Sequence, residues 1–483
     1  MRITIRITFC LLIFLFTSCK RKTPSGSLDG NWYADGYSLT LIIKNKDYEF
    51  LDTYQNVCIK KERGALSKLE PHLKIVDDTL QLFKGTSVYH FTGNAAVTNR
   101  CSSAPENSND VLMNFDAFAY TVQVHYAFDH LLDFSIKDTL KSERKKLEKT
   151  PSELQLYQSI ETVLSAMNDN HGYLEVPEEV IAHTIVKPET IHPEKASEEK
   201  IPQSTSETQK EYGDFEVADR VSDIYIDEEL TRNTSLIRWG KMKDSLGYMQ
   251  IKAMWLFADL DLEETTIKEK GFVNAYVQAM QKEYEGTYIE KERLAVAALL
   301  DTIMNDLKDT KAMIVDVRFN GGGQDVASME ILKKFNQQKR AVARKKARAG
   351  SRFSDQQTIY LESAPQAYIK PVFLLTSRQT ASAADFIALA SMELPNFTRI
   401  GTATQGALSD ALEKQLPNGW YFSISNELYF DMDHNNYEYR GVPPHIKMVY
   451  PEDRQEFFHK MMRMTLKDKM EVMTAVHSVL TAK

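Results

Sequence analysis

The serine in "RQTASAAD", Ser382, stands between an apolar segment, "PVFLLTS", and an almost wholly apolar helical stretch, with small neighbours at Ala381, Ala383 and Ala384. Such a serine caps a helix by accepting a backbone N–H. It can equally be a nucleophile at the positive helix end, with the Ala383 N–H pointing at the reacting carbonyl oxygen. Upstream, "VDVRFNGGGQD" places Gly321–Gly323 after an apolar strand. No GK[ST] follows, so it is not a phosphate loop, and the third glycine of a dinucleotide fingerprint is missing. A tight turn or an oxyanion hole remains. His171, in "NDNHGY", is a surface polar residue or a general base whose intrinsic pKa lies near neutrality. Glu438, in "YEYRGVPPHI", is a solvated charge or the carboxylate that orients an imidazole.

The elements that must position these residues follow from periodicity. From residue 247 onward, strands ("GYMQIKAM", "AMIVDVRF", "PVFLLTS", "TRIGTA") alternate with helices ("ERLAVAALLDTIMNDL", "VASMEILKKF" and the stretch after Ser382). Near-continuous apolar strands alternating with helices predict βαβ units and a largely parallel, doubly covered sheet. "WYFSISNELYFD" adds a later strand or hairpin. Residues 28–104 alternate β-formers with turn signals such as Asp35-Gly36, which predicts a small β domain. "MNFDAFAYTVQVHYAFDHLLDF" and "ELQLYQSIETVLSAM" carry apolar residues at helical spacing. The stretch 183–213 is polar and Pro/Glu/Lys/Ser-rich, a flexible linker by composition. The basic run 332–352 is expected to be a solvated flap or loop, with contact to acidic substrates or membrane phosphates as the lesser alternative.

The chain of 483 residues is 43% hydrophobic and 26% charged, so several ordinary cores are expected, and its net charge of −8 argues against general nucleic-acid affinity. "MRITIRITFCLLIFLFTSCKRK" has two arginines, an apolar core and small residues before Cys19, the pattern of a secretory signal. An exported pair, Cys58 and Cys101, is free to form a disulfide. Two thiols are too few for a structural zinc site, and no HExxH is present, so no metal and no cofactor are expected.

Taken in order, "DVRFNGGG", "TASAAD", "IGTATQGA" and "YEYRGVPPHI" resemble the C-terminal processing peptidase and tricorn core family of serine peptidases, tail-specific protease-like, over about 247–450. "MNDNHGY" is similar to the tricorn-like branch, and "FTSC" resembles the lipobox of bacterial lipoproteins, with Phe16 an unusual choice. The resemblance implies an α/β fold with a Clp protease/crotonase-like core of parallel βαβ units. A helical segment and a small N-terminal β domain precede that core.

The resemblance makes Ser382 the nucleophile, His171 the base and Glu438 its partner, with Asp169 a weaker candidate for that partner. The oxyanion donors it implies are the N–H groups of Gly322 and Ala383. The lysine base of the bacterial tail-specific type is replaced by Ala407, which excludes a Ser/Lys dyad at that place. His445 stands where the family usually has Asp, and no peptide-docking PDZ domain is evident.

The expected organisation is a lipoprotein signal peptide (1–18), a small β domain (19–104), a helical bundle segment carrying His171 (105–182), a linker (183–213) and the peptidase core (214–483). The expected activity is serine endopeptidase cleavage of exported peptides or unfolded proteins through an acyl-enzyme. Anchoring is expected through lipid on Cys19, facing the periplasm, with the outer membrane favoured. The alternative is a catalytically inactive peptide-binding lipoprotein of the same fold. Oligomeric state is left open.

Overall fold

The computed structural model describes residues 28–93 except 56, then 108–182 and 210–482. Cys19, Cys101 and most of the polar stretch 183–213 lie outside the described residues.

The C-terminal core is a seven-stranded sheet. Its order is Ile446–Lys447, Phe397–Gly401, Val372–Thr376, Ala312–Asp316, Leu246–Ile251, Ile237–Met242 and Glu228–Glu229. The first five run parallel, and the last two are added antiparallel. Strands Ala312–Asp316 and Val372–Thr376 are buried along their whole length, as strands covered on both faces must be. Their side chains alternate between two cores. Met313, Val315, Val372 and Leu374 pack with the helices Glu285–Leu307, Asp325–Lys333 and Ala383–Ala390. Ala312, Ile314, Phe373 and Leu375 pack with the helices Asp214–Tyr225 and Arg454–Thr481. This is the layered α/β architecture expected from the sequence.

The N-terminal domain is a seven-stranded antiparallel sheet over Gly30–Gly93. Cys58, on its strand Val57–Ala65, is disulfide-bonded. The helical segment contains Val111–His125, Ile136–Lys149 and Glu153–Met167, capped by the side chains of Asp110, Ser135 and Ser152.

Two expectations need correction. The basic run is no solvated flap: Arg340–Ala349 is a strand with alternating burial, paired with Gln357–Leu361 and Glu427–Phe430. Its Lys345 is only 1% exposed and donates to Glu427 Oε2 at 2.9 Å and Asp410 Oδ2 at 3.1 Å. Charge count along the chain misled because every second side chain of the strand points inward. "WYFSISNELYFD" forms two strands, and they are not a hairpin. Tyr421–Ser425 pairs with Ala411–Gln415 and Tyr173–Glu175, whereas Glu427–Phe430 pairs with the basic strand.

Candidate active site

Two loops leave the C-terminal ends of neighbouring parallel strands, where open α/β sheets place their sites. Arg318–Gly323 follows Ala312–Asp316, and Ser377–Ser382 follows Val372–Thr376. They are laced together: Ser377 Oγ donates to Arg318 O at 2.5 Å, Thr380 Oγ1 to Val317 O at 2.9 Å, and Ala381 N–H to Asn320 O at 3.1 Å.

Ser382 sits at the mouth of the helix Ala383–Ala390 with φ 53° and ψ −123°. A side-chain-bearing residue in this region is strained by roughly 1–3 kcal/mol and persists only when its surroundings enforce it. Asp385, one turn on, supplies that enforcement. Its carboxylate accepts from the N–H groups of Ser382 (3.1 Å), Gly406 (3.0 Å) and Ala407 (2.9 Å). Burial pushes Asp385 up to about 6, against those hydrogen bonds. Gly322 lies directly under the serine, with φ +106°; a Cβ there would be 2.6 Å from Ser382 Cβ. Only glycine fits.

His171 comes from the turn after Glu153–Met167 and is carried to the core by strand pairing. Tyr173 lies opposite Ser423 in the sheet with Tyr421–Ser425, and Ser423 Oγ donates to His171 O. His171 lines the same cleft as Ser382, alongside Gly323, Asp325, Asp410 and the hairpin Lys84–Ser87 of the N-terminal sheet. No hydrogen bond joins Ser382 and His171 among the described residues. His171 Nδ1 lies 3.5 Å from Ser425 Oγ, which donates to Asp169 Oδ1 at 2.5 Å. Asp169 also accepts from Ser425 N–H at 2.7 Å and His171 N–H at 3.2 Å. Burial pushes the imidazole below its ordinary value, and the charges of Asp169 and Asp410 partly offset this.

The site differs from expectation at two residues. Glu438 is buried, but its Oε2 accepts from Leu408 N–H (2.8 Å) and Ser409 N–H (3.0 Å), and its Oε1 has no partner among the described residues. It braces the loop beside the cleft and makes no bond to the imidazole. Burial raises it to about 8, and Asp385 and Asp169 add to the rise. The Gly322 N–H is taken by Asn320 Oδ1 at 2.8 Å. Neither the Ala383 N–H nor the Gly323 N–H has an acceptor among the described residues, and Gly323 lines the cleft with Ser382. Asp410 and Ser425 were not singled out from the sequence. Asp410 ends "ATQGALSD" and Ser425 lies mid-strand, and neither position has a local signal.

Among the described residues no His/Cys/Asp/Glu group is arranged to hold a metal ion, and no helix is long and apolar enough to cross a membrane.

Residues 246–448 match the family model of Peptidase family S41. The matched segment holds Gly322, Ser382 and Glu438, whereas His171 lies outside it. Among solved structures, a candidate peptidase from Parabacteroides merdae is similar at 17% identity and TM-score 0.51, covering 74% of this chain and 97% of that one. Mature CPAF complexed with lactacystin is similar at 13% identity and TM-score 0.49, over 76% and 99%. A lipoprotein from Streptococcus agalactiae follows at 12% identity and TM-score 0.44, over 76% and 96%. The first of these shows a shared fold. No curated protein matches the chain.

Proposed function

We propose that this protein is a serine peptidase that cleaves peptides or unfolded polypeptides through an acyl-enzyme on Ser382. The observation that carries the reading is the strained Ser382 at a helix mouth, lining a cleft that also holds the half-buried His171. His171 takes the hydroxyl proton as Ser382 attacks the carbonyl carbon, and the oxyanion is held by the N–H groups of Ala383 and Gly323. The imidazolium then protonates the leaving amine, and water releases the acyl group by the same route. Hydrogen bonds of this kind are commonly long without substrate and tighten in the complex.

Asp169 stabilises the imidazolium and Ser425 links the two, while Glu438 holds the Leu408–Ser409 loop in place. The family match over residues 246–448 supports peptide-bond chemistry. The signal-like N-terminus and Cys19 support export and lipid anchoring at the bacterial membrane, facing the periplasm. Incubating the protein with reduced, carboxymethylated casein should yield fragments, and Ser382→Ala and His171→Ala should each abolish them. Fragments that persist with Ser382→Ala, or none with the wild type, would reject the reading in favour of a peptide-binding protein.

A further inference from the structure

Glu292, on the helix Glu285–Leu307, is completely buried, and the chemistry proposed above does not use it. Its donors are two backbone groups and two phenols: the Leu256 N–H at 3.0 Å, the Phe257 N–H at 2.9 Å, the Tyr288 hydroxyl at 2.8 Å and the Tyr276 hydroxyl. Burying an acid costs free energy that its hydrogen bonds must offset. Apolar groups of the same shape can fill such a place at little net cost. What they cannot do is hold two adjacent backbone N–H groups.

The segment that Glu292 holds leads back to the glycine loop under Ser382. Leu256 has φ +75°, where a side-chain-bearing residue is strained and persists only if its surroundings enforce it. Two residues earlier, Met254 clamps the loop. Its N–H donates to Gly322 O at 2.9 Å, and its own O accepts from the Gln324 N–H at 2.8 Å. Together these bonds make a parallel bridge to Gly323. The Gly322 carbonyl and the Gly323 N–H share one trans peptide plane and point in opposite directions. Holding the carbonyl on Met254 therefore turns the Gly323 N–H away from Met254, and it has no acceptor among the described residues. The two backbones touch: a Cβ on Gly323 would lie 2.6 Å from the Met254 carbonyl carbon.

We propose that Glu292 is a positioning residue for the oxyanion hole. The proposal rests on the peptidase reading and adds to it a group that never touches substrate. Glu292 fixes Leu256 and Phe257, and the short connection carries that placement to Met254. Met254 in turn aims the Gly323 N–H through its grip on the Gly322 carbonyl. Oxyanion donors accelerate the reaction only when they are aimed beforehand at the place where charge develops. A slack segment therefore costs turnover rather than substrate binding.

The test compares the full-length wild type with Glu292→Gln, using reduced, carboxymethylated casein as substrate. Glutamine fills the same space but offers one acceptor oxygen, so its NH2 group must face either the Leu256 or the Phe257 N–H. kcat should fall about ten-fold or more while KM stays within about two-fold. Inhibition by a peptide boronate, whose tetrahedral adduct on Ser382 uses the same donors, should weaken by a similar factor. A merely structural role would lower the melting temperature and leave kcat of the folded protein intact. Hydrogen exchange of the wild type covers a variant that does not fold: the Met254, Leu256 and Phe257 amides should be protected, and the boronate should add protection at Gly323. Unchanged kcat and boronate affinity in folded Glu292→Gln, a loss confined to KM, or a Gly323 amide that the boronate leaves unprotected would overturn the proposal. A wild type that cuts no casein would reject the peptidase reading and this proposal together, whereas cleavage that Glu292→Gln leaves intact would reject the proposal alone.

Discussion

At the scale of single residues, the proposed site rests on Ser382 and on the glycine packed against it, Gly322. Gly322→Ala would place a methyl group 2.6 Å from Ser382 Cβ and 2.8 Å from Ala381 O, at a φ of +106°. Both contacts are to rigid atoms, so the serine loop must move. Peptidase activity should fall by about 100-fold or more, as a misplacement near 1 Å commonly costs, while circular dichroism stays close to the wild type. Full activity in this variant would show that the Gly322–Ser382 contact does not position the nucleophile. His171 makes a second prediction. Burial lowers its pKa, so neutral imidazole survives below pH 6.5, and the acid limb of kcat/KM should lie below about 6.5. Asp169→Asn removes a charge that favours the imidazolium, so the limb should move lower still and the rate should drop. A limb at or above 6.5 contradicts the lowering of His171 by burial, and a limb that Asp169→Asn leaves in place contradicts the role given to Asp169.

At the scale of elements, legibility followed burial symmetry. Strands covered on both faces announce themselves as apolar runs, and so Ala312–Asp316 and Val372–Thr376 were readable with the loops behind them. Strands with alternating charge were not. In Arg340–Ala349 the lysine that matters is indistinguishable along the chain from its solvated neighbours, because its partners Asp410 and Glu427 lie 65 and 82 residues away. The pairing of Tyr173–Glu175 with Tyr421–Ser425, which brings His171 to the core, is equally invisible to local pattern. The position of Glu438 showed that it was special, but the choice between bonding to an imidazole and bracing a loop is made by tertiary contacts. Lys345→Met tests the buried network. It strands the Glu427 carboxylate, which is 1% exposed, and should destabilise the fold by roughly 3 kcal/mol in denaturant titration. Burial raises Glu427 to about 7 even with Lys345 beside it, so without the lysine the carboxyl takes up its proton at a higher pH still, and the loss should shrink as pH falls. A cost under about 0.5 kcal/mol at pH 8 would mean that the network is dispensable.

At the scale of the whole molecule, three separate parts of the chain meet at one cleft: the N-terminal hairpin, the turn after the helical segment, and the two loops of the parallel sheet. Buried ionisable groups are concentrated around it, and they set how stability responds to pH. Glu438 is raised from 4.5 to about 8 and Asp385 from 3.8 to about 6, so the folded state binds more protons than the unfolded chain between those limits. Stability from these groups is therefore fully present below the unfolded pKa and is lost as pH rises through the folded one. The melting temperature should fall between about pH 4.5 and 8, and Glu438→Gln should flatten the slope above pH 6, where Asp385 no longer contributes. An unchanged slope would remove Glu438 from this account.

The central claim is that Ser382 is an activated nucleophile in a cleft it shares with His171. Reaction of the full-length protein with a fluorophosphonate, followed by peptide mass mapping, tests it most directly. The account predicts a single adduct on Ser382, absent from Ser382→Ala and much slower to form in His171→Ala. Folded protein that stays unlabelled, or an adduct on another residue that forms equally well in Ser382→Ala, would contradict it.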